Sequence, residues 1–228
     1  MVLSLLALAI APGLAIAIYV FWMDKFEREP LRLMVVCFVL GALSIVPAAL
    51  IENWLEVPAV SDRTNLWQVF VTAYLIVGLT EEGVKFLVLY LYAYPKKDFN
   101  EPFDGITYSV MVSMGFATLE NILYVLQGGY QVGILRMFTA VPAHASFAVL
   151  MGYFVGLSKF RQNRGHLLLL GLVVPIIFHG TYDFFLLQKE YAYLTLGGFG
   201  GLLVGIILSR RAIRLHQQNS PFRTDAGA

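Results

Sequence analysis

Long apolar runs alternate with short polar turns along this chain, and the runs share a length. A bilayer core of roughly 30 Å is crossed by about 20 apolar residues in a helix. Seven runs reach that length, at about 2–22, 31–51, 67–94, 103–127, 133–157, 166–187 and 191–209. The pattern predicts an all-α polytopic membrane protein, a bundle of about seven transmembrane helices forming one domain over residues 1–215. No basic segment precedes the first run and its cations follow it, so it reads as a retained anchor and not as a cleaved signal. Residues 216–228 are polar and lack a core-facing stripe, which predicts a disordered cytoplasmic tail.

Charge then sets the orientation. With the N-terminus outside, only Arg63, Arg136 and Lys189 of the 16 Lys and Arg residues fall on the outer side. Lys85 lies within a helix, and the rest face the cytoplasm. That asymmetry predicts an external N-terminus and a cytoplasmic C-terminus. Composition agrees, with 58% hydrophobic and 14% charged residues and a mean hydropathy of +0.71, well outside the range of soluble domains. The net charge of +1 carries no signal for nucleic acid, and none is expected as a partner. A single cysteine, Cys37, excludes a disulfide framework and a cysteine-based zinc site.

Four of the seven runs carry ionisable groups where lipid is expected: TEEGVK (80–85), ATLEN (117–121), PAHASF (142–147) and FHGTYD (178–183). Each such group costs at least ~2.5–3.5 kcal/mol on insertion scales, so they face protein or a wet cavity. Glu81 and Lys85 are one helical turn apart and can pair, leaving Glu82 to address another neighbour. Taken alone, that pair also has a plainer reading, as an interhelical salt bridge that fixes packing. Glu120 can ligate a metal or position water, and Asn121 can donate to a developing oxyanion. His144 heads a seam of small residues, Ala148, Gly152 and Gly156, suited to close helix packing. His179 and Asp183 are one turn apart, so the carboxylate can fix the imidazole tautomer. Measured from the outer helix ends at about 1.5 Å per residue, Glu81 lies roughly 20 Å deep, the two histidines roughly 12–15 Å, Glu120 roughly 10 Å and Asp183 roughly 6 Å. One pocket in the outer half of the bilayer can therefore gather them all.

Glu81-Glu82-x-x-Lys85, Phe116-x-x-x-Glu120-Asn121, His144 with its small-residue seam, and His179-x-x-x-Asp183 resemble the four motifs of the PrsW family of intramembrane proteases. The flanks resemble it too, in the stretch from Asp24 to Pro30 and in Glu101-Pro-Phe-Asp-Gly-Ile106. The resemblance implies a multi-pass bacterial or archaeal cell-membrane peptidase that cuts a single-pass membrane protein such as an anti-sigma factor. It implies Glu81 as the general base, with Glu82 and Lys85 tuning its charge. His144 and His179, with Glu120, would bind a divalent metal or polarise water and the scissile carbonyl directly. Asn121 would be the oxyanion donor and Asp183 the group that orients His179. Zinc suits two histidines and a carboxylate, yet no HExxH motif is present, so both metal-dependent and glutamate-only chemistry stay open. Buried Glu, His and Asp also describe a proton-coupled transporter or channel, and a non-catalytic scaffold is a third reading. No internal repeat supports the transporter, and no motif residue is lost as a scaffold would allow.

Overall fold

The structure is a computed structural model and describes residues 2–59 and 64–223. Among them every regular element is helical. In chain order these are α1 (Val2–Met23), α2 (Leu31–Leu43) and α3 (Ile45–Ala59). A rod follows, made of α4 (Leu66–Phe70), a π-helical stretch (Val71–Gly78), α5 (Leu79–Val88) and a second π-helical stretch (Leu89–Ala93). Then come α6 (Pro102–Phe138), α7 (Ala140–Phe160), α8 (Arg164–Leu187) and α9 (Thr195–Gln218).

Five stretches are long and apolar enough to cross a membrane: Val2–Met23, Leu31–Leu55, Pro102–Phe160, Arg164–Leu187 and Ala192–Gln218. The expected run at 67–94 is helical, but π-helical turns divide it and Glu81, Glu82 and Lys85 sit at its centre. The two runs expected between 103 and 157 form one apolar stretch, broken in two places. Gly129 takes φ 70°, ψ −159°, and Thr139 takes φ −122°, ψ −73°. Positive φ is open to glycine at little cost, and it reverses the chain here. Residues 130–138 therefore fold back as a short return helix, and α7 starts at Ala140 and not near 133 as the apolar pattern predicts.

Two other departures have local causes. α2 and α3 part at Ser44, whose hydroxyl donates to the Gly41 carbonyl at 2.7 Å. Pro47 lies three residues further on and cannot donate to the Leu43 carbonyl. At the far end α9 runs past position 215 to Gln218, where composition predicts a tail. His216 is 3% exposed there, against the Tyr153 ring with centroids 4.4 Å apart. Residues 224–228 of the expected tail, and Arg63 of the expected outer loop, lie outside the described residues.

The core is centred on α6 and α7. In the most apolar window of Pro102–Phe160, 72% of residues are buried, against 22–33% in the other four stretches. Close backbone approach makes this possible. A methyl added at Gly152 would lie 2.3 Å from the Gly105 carbonyl oxygen, and one at Gly115 would lie 1.9 Å from that of Phe38 on α2. The seam expected on the fifth run is thus the α6–α7 contact. Gly152→Val is expected to destabilise the protein by about 1–3 kcal/mol or more through overpacking. Thermal unfolding in detergent checks this against Gly200→Val, where an added side chain meets nothing within 4 Å.

Candidate active site

α5 is ordinary α-helix, so Glu81, Glu82 and Lys85 share one face as their spacing requires. Lys85 is 1% exposed. Its Nζ donates to Glu81 Oε2 at 3.1 Å and to Glu82 Oε1 at 2.8 Å, and stands 3.2 Å from His144 Nδ1. The ammonium also lies 4.2 Å from the centroid of the Phe116 ring, a cation–π contact. The expected Glu81–Lys85 pair is present. Glu82 does address a different neighbour, since its Oε1 is 2.8 Å from His179 Nδ1. It is not free, however, because Lys85 holds it more closely than it holds Glu81.

α8 reaches this rod through a small residue. Gly180 follows His179, and a Cβ there would come within 2.4 Å of the Tyr74 ring. Tyr74 Oη and Thr181 Oγ1 lie 2.8 Å apart across the same contact. His179 Nε2 faces Asp183 Oδ2 at 3.3 Å and Glu81 Oε2 at 3.9 Å. Both ring nitrogens thus meet carboxylates, as the i, i+4 spacing predicts for Asp183.

α7 and α6 supply the opposite wall. Ser113 Oγ donates to the His144 carbonyl at 3.0 Å, fixing the helices in register at the histidine. His144 Nε2 is 3.0 Å from Glu120 Oε2. The imidazoles of His144 and His179 stand nearly perpendicular, with centroids 5.3 Å apart. The return helix after Gly129 brings Arg136 back over this wall. It pairs with Glu120 through Nη2, donates to Asn121 Oδ1 at 2.6 Å through Nε, and lies 4.1 Å from the Tyr124 ring centroid.

These groups surround a cavity of about 340 Å³, lined among others by Glu52, Glu81, Glu120, Arg136, His144 and His179. Glu81 uses only Oε2 on Lys85 and leaves Oε1 open to the cavity. All eight expected residues belong to this region, but Glu82, Lys85 and Asn121 do not line the cavity. Asn121 is 1% exposed and its carbonyl oxygen is taken by Arg136. Two lining residues went unread in the sequence, Glu52 and Arg136. Glu52 Oε1 is buried without a partner. Both lie near run ends, where a charge raises no alarm; Arg136 alone has apolar neighbours on both sides, while Glu52 is followed by Asn53.

One group could hold a metal among the described residues. Ligand atoms from Glu81, Glu82, His144 and His179 all lie within 4.8 Å of one another. Two imidazoles and two carboxylates fit a divalent ion, and carboxylates outnumber the fixed cations around the cavity. The set differs from the expected His144, His179 and Glu120: Glu81 and Glu82 belong to it, while Glu120 meets His144 and Arg136 through one oxygen. Lys85 already touches three of the four donors, so its ammonium and a metal compete for them.

The family model described as PrsW family intramembrane metalloprotease matches residues 29–209. Protease PrsW of Geobacillus kaustophilus (strain HTA426) is 39% identical over 188 residues, covering 82% of this chain and 81% of the relative. Protease PrsW of Clostridioides difficile (strain 630) is 38% identical, covering 85% and 83%. That of Bacillus subtilis (strain 168) is 36% identical, covering 80% and 83%. No solved structure matches the chain.

Removing one partner of a buried ion pair leaves the others uncompensated, at about 3–5 kcal/mol. Glu82→Ala is therefore expected to destabilise the protein by about that amount. Glu81→Ala, which opens onto the cavity, is expected to cost about half as much or less. Thermal unfolding of the two variants, side by side, reads the difference.

Proposed function

The chain belongs to the PrsW family of intramembrane metalloproteases, and we propose from that premise that it hydrolyses a peptide bond of a single-pass membrane protein, with Glu81 activating the attacking water. The observation that carries this is the asymmetry of the two glutamates. Glu82 is 1% exposed and tied to both Lys85 and His179. Glu81 keeps one oxygen open to the cavity. A base must reach its water, and of these two glutamates Glu81 is the one that lines the cavity.

The other groups have assignable work. Lys85 keeps the Glu81 carboxylate in place and fixes its orientation. Glu82 and Asp183 hold the His179 ring from its two nitrogens, and Glu120 holds His144. Arg136 lines the cavity where Asn121 does not, so the guanidinium is the better-placed donor for negative charge developing on the scissile carbonyl. Asn121 positions that guanidinium. A metal held by Glu81, Glu82, His144 and His179 would replace one of the contacts on each histidine ring, and zinc is the natural choice given nitrogen and oxygen donors. When bound, it would supply Lewis-acid polarisation of the carbonyl and lower the pKa of water. A proton-coupled transporter finds no support in the family.

We read the chain as seven spans with the N-terminus outside, in a bacterial cell membrane, from the distribution of its cations. On that reading the cavity opens toward the outer half of the bilayer, and an anti-sigma factor with an external cleavage point would suit it.

Glu81→Gln is expected to lower cleavage of a co-reconstituted single-span substrate by about 100-fold or more, the range for loss of a general base. Metal content of the same preparation, by mass spectrometry, tests zinc. Cleavage at the wild-type rate by a folded Glu81→Gln protein would remove Glu81 as the base.

A further inference from the structure

At the opposite end of α6 from the catalytic cavity, a second group of carboxylates is buried without cations. Asp24 and Glu29, after α1, meet Glu101 and Asp104 at the start of α6. These four are 1%, 4%, 1% and 0% exposed. Glu27 joins them, accepting from the Asn100 side-chain amide at 3.0 Å. Every salt bridge among the described residues lies in the catalytic cluster. The nearby cations are engaged elsewhere. Arg28 lies over Phe21 and Lys96 over Tyr92, while Lys159 donates to the Tyr94 and Lys96 carbonyls.

Local structure accounts for some of these oxygens. Glu101 is the N-cap of α6 and forms a reciprocal capping box with Asp104. Asp104 Oδ2 accepts from the Asn100 and Glu101 amides at 2.7 and 2.8 Å, and the helix N-terminus favours negative charge there. The remainder are poorly met, since contacts from the Glu29 amide to Asp24 and from Ser220 to Glu101 fall short of hydrogen-bond geometry. Both oxygens of Asp24, and one each of Glu27, Glu29, Glu101 and Asp104, are buried with no hydrogen-bond partner. Burial first, then repulsion from Asp104, pushes Asp24 up to about 7 and Glu29 up to about 10. Burial lifts Glu101 to about 7 as well. A proton shared between Glu29 and Asp104 would answer two of these oxygens and leave Asp24 bare. Bare buried carboxyl oxygens are answered either by protons or by a cation, and a cation restores the charged forms.

From this we infer that Asp24, Glu27, Glu29, Glu101 and Asp104 form a cytoplasmic site for a hard divalent cation, Mg²⁺ or Ca²⁺, which clasps the α1–α2 turn to the start of α6. Donors that are all oxygen select these ions over zinc. The catalytic cluster alone, among the described residues, packs ligand atoms within 4.8 Å of one another, so the cation here keeps part of its water shell, as Mg²⁺ does. The site is independent of the proposed reaction and shares no residue with it.

The test uses the full chain in detergent, stripped with EDTA and then given Mg²⁺ or Ca²⁺ at about 10 mM, a concentration suited to weak oxygen sites. A cation at about 100 times its Kd is expected to raise Tm by roughly 5–10 °C. Asp24→Asn and Glu29→Gln, which remove charge without removing shape, are expected to be at least as stable as wild type in EDTA and to lose the rise. Glu81→Gln is expected to keep it, which separates this site from the catalytic one. No rise in wild type with either ion would overturn the proposal and leave protons as the counter-charge. An undiminished rise in either folded cytoplasmic variant would overturn it too.

Discussion

A lysine ammonium at 1% exposure, in the middle of an apolar bundle, is the constraint on which this structure turns. Lys85 meets Glu81 and Glu82 on its own helix, His144 on α7 and the Phe116 ring on α6. Through Glu82 it also reaches His179 on α8. Four helices are thereby indexed to one charge. A charge in such surroundings is tolerated only when fully answered, so no helix can slip along its axis without exposing an unanswered group. The catalytic geometry and the packing of the bundle are in this sense one requirement.

Meeting it takes close approach, and the sequence provides that at defined points. Gly105 faces Gly152 and Gly156 between α6 and α7, while Gly115 faces the Phe38 carbonyl on α2. Gly180 admits the Tyr74 ring and so brings His179 to within reach of Glu82. In a membrane, where lipid competes for apolar contact, small residues and a few polar bonds are what hold helices together. The polar cluster is both the product of that packing and part of its cause.

How much of this was legible depended on what each residue costs in lipid. Glu81, Glu82, Lys85, Glu120, His144, His179 and Asp183 stood out because each interrupts an apolar run, and the structure gathers them in one region. Spacing on an unbroken helix also gave the Glu81–Lys85 and His179–Asp183 contacts correctly. Glu52 and Arg136 were missed because a charge near a run end looks like a boundary. Asn121 was read as a donor to substrate, but its partner Arg136 arrives from beyond a chain reversal that composition does not reveal. The gap between the expected runs ending at 127 and starting at 133 marked a connection, and only the φ of 70° at Gly129 shows that the chain folds back against its own helix. Apolar residues after the turn therefore belong to the return segment and not to the next long helix.

The two ends of α6 pose the same electrostatic problem and solve it differently. At the cavity, carboxylates from four helices meet Lys85 and Arg136, and two imidazoles make up part of the difference. At the other end the carboxylates meet backbone amides and the Asn100 side chain, and several oxygens stay bare. The first arrangement leaves Glu81 Oε1 open within an otherwise tied network, which is what a reactive centre needs. The second leaves its open oxygens shut inside the protein, which suits a structural ion better than chemistry. A helix that carries Glu120 at one end must be anchored at the other if Glu120 is to hold His144, and a clasp on its N-cap acts on that anchor.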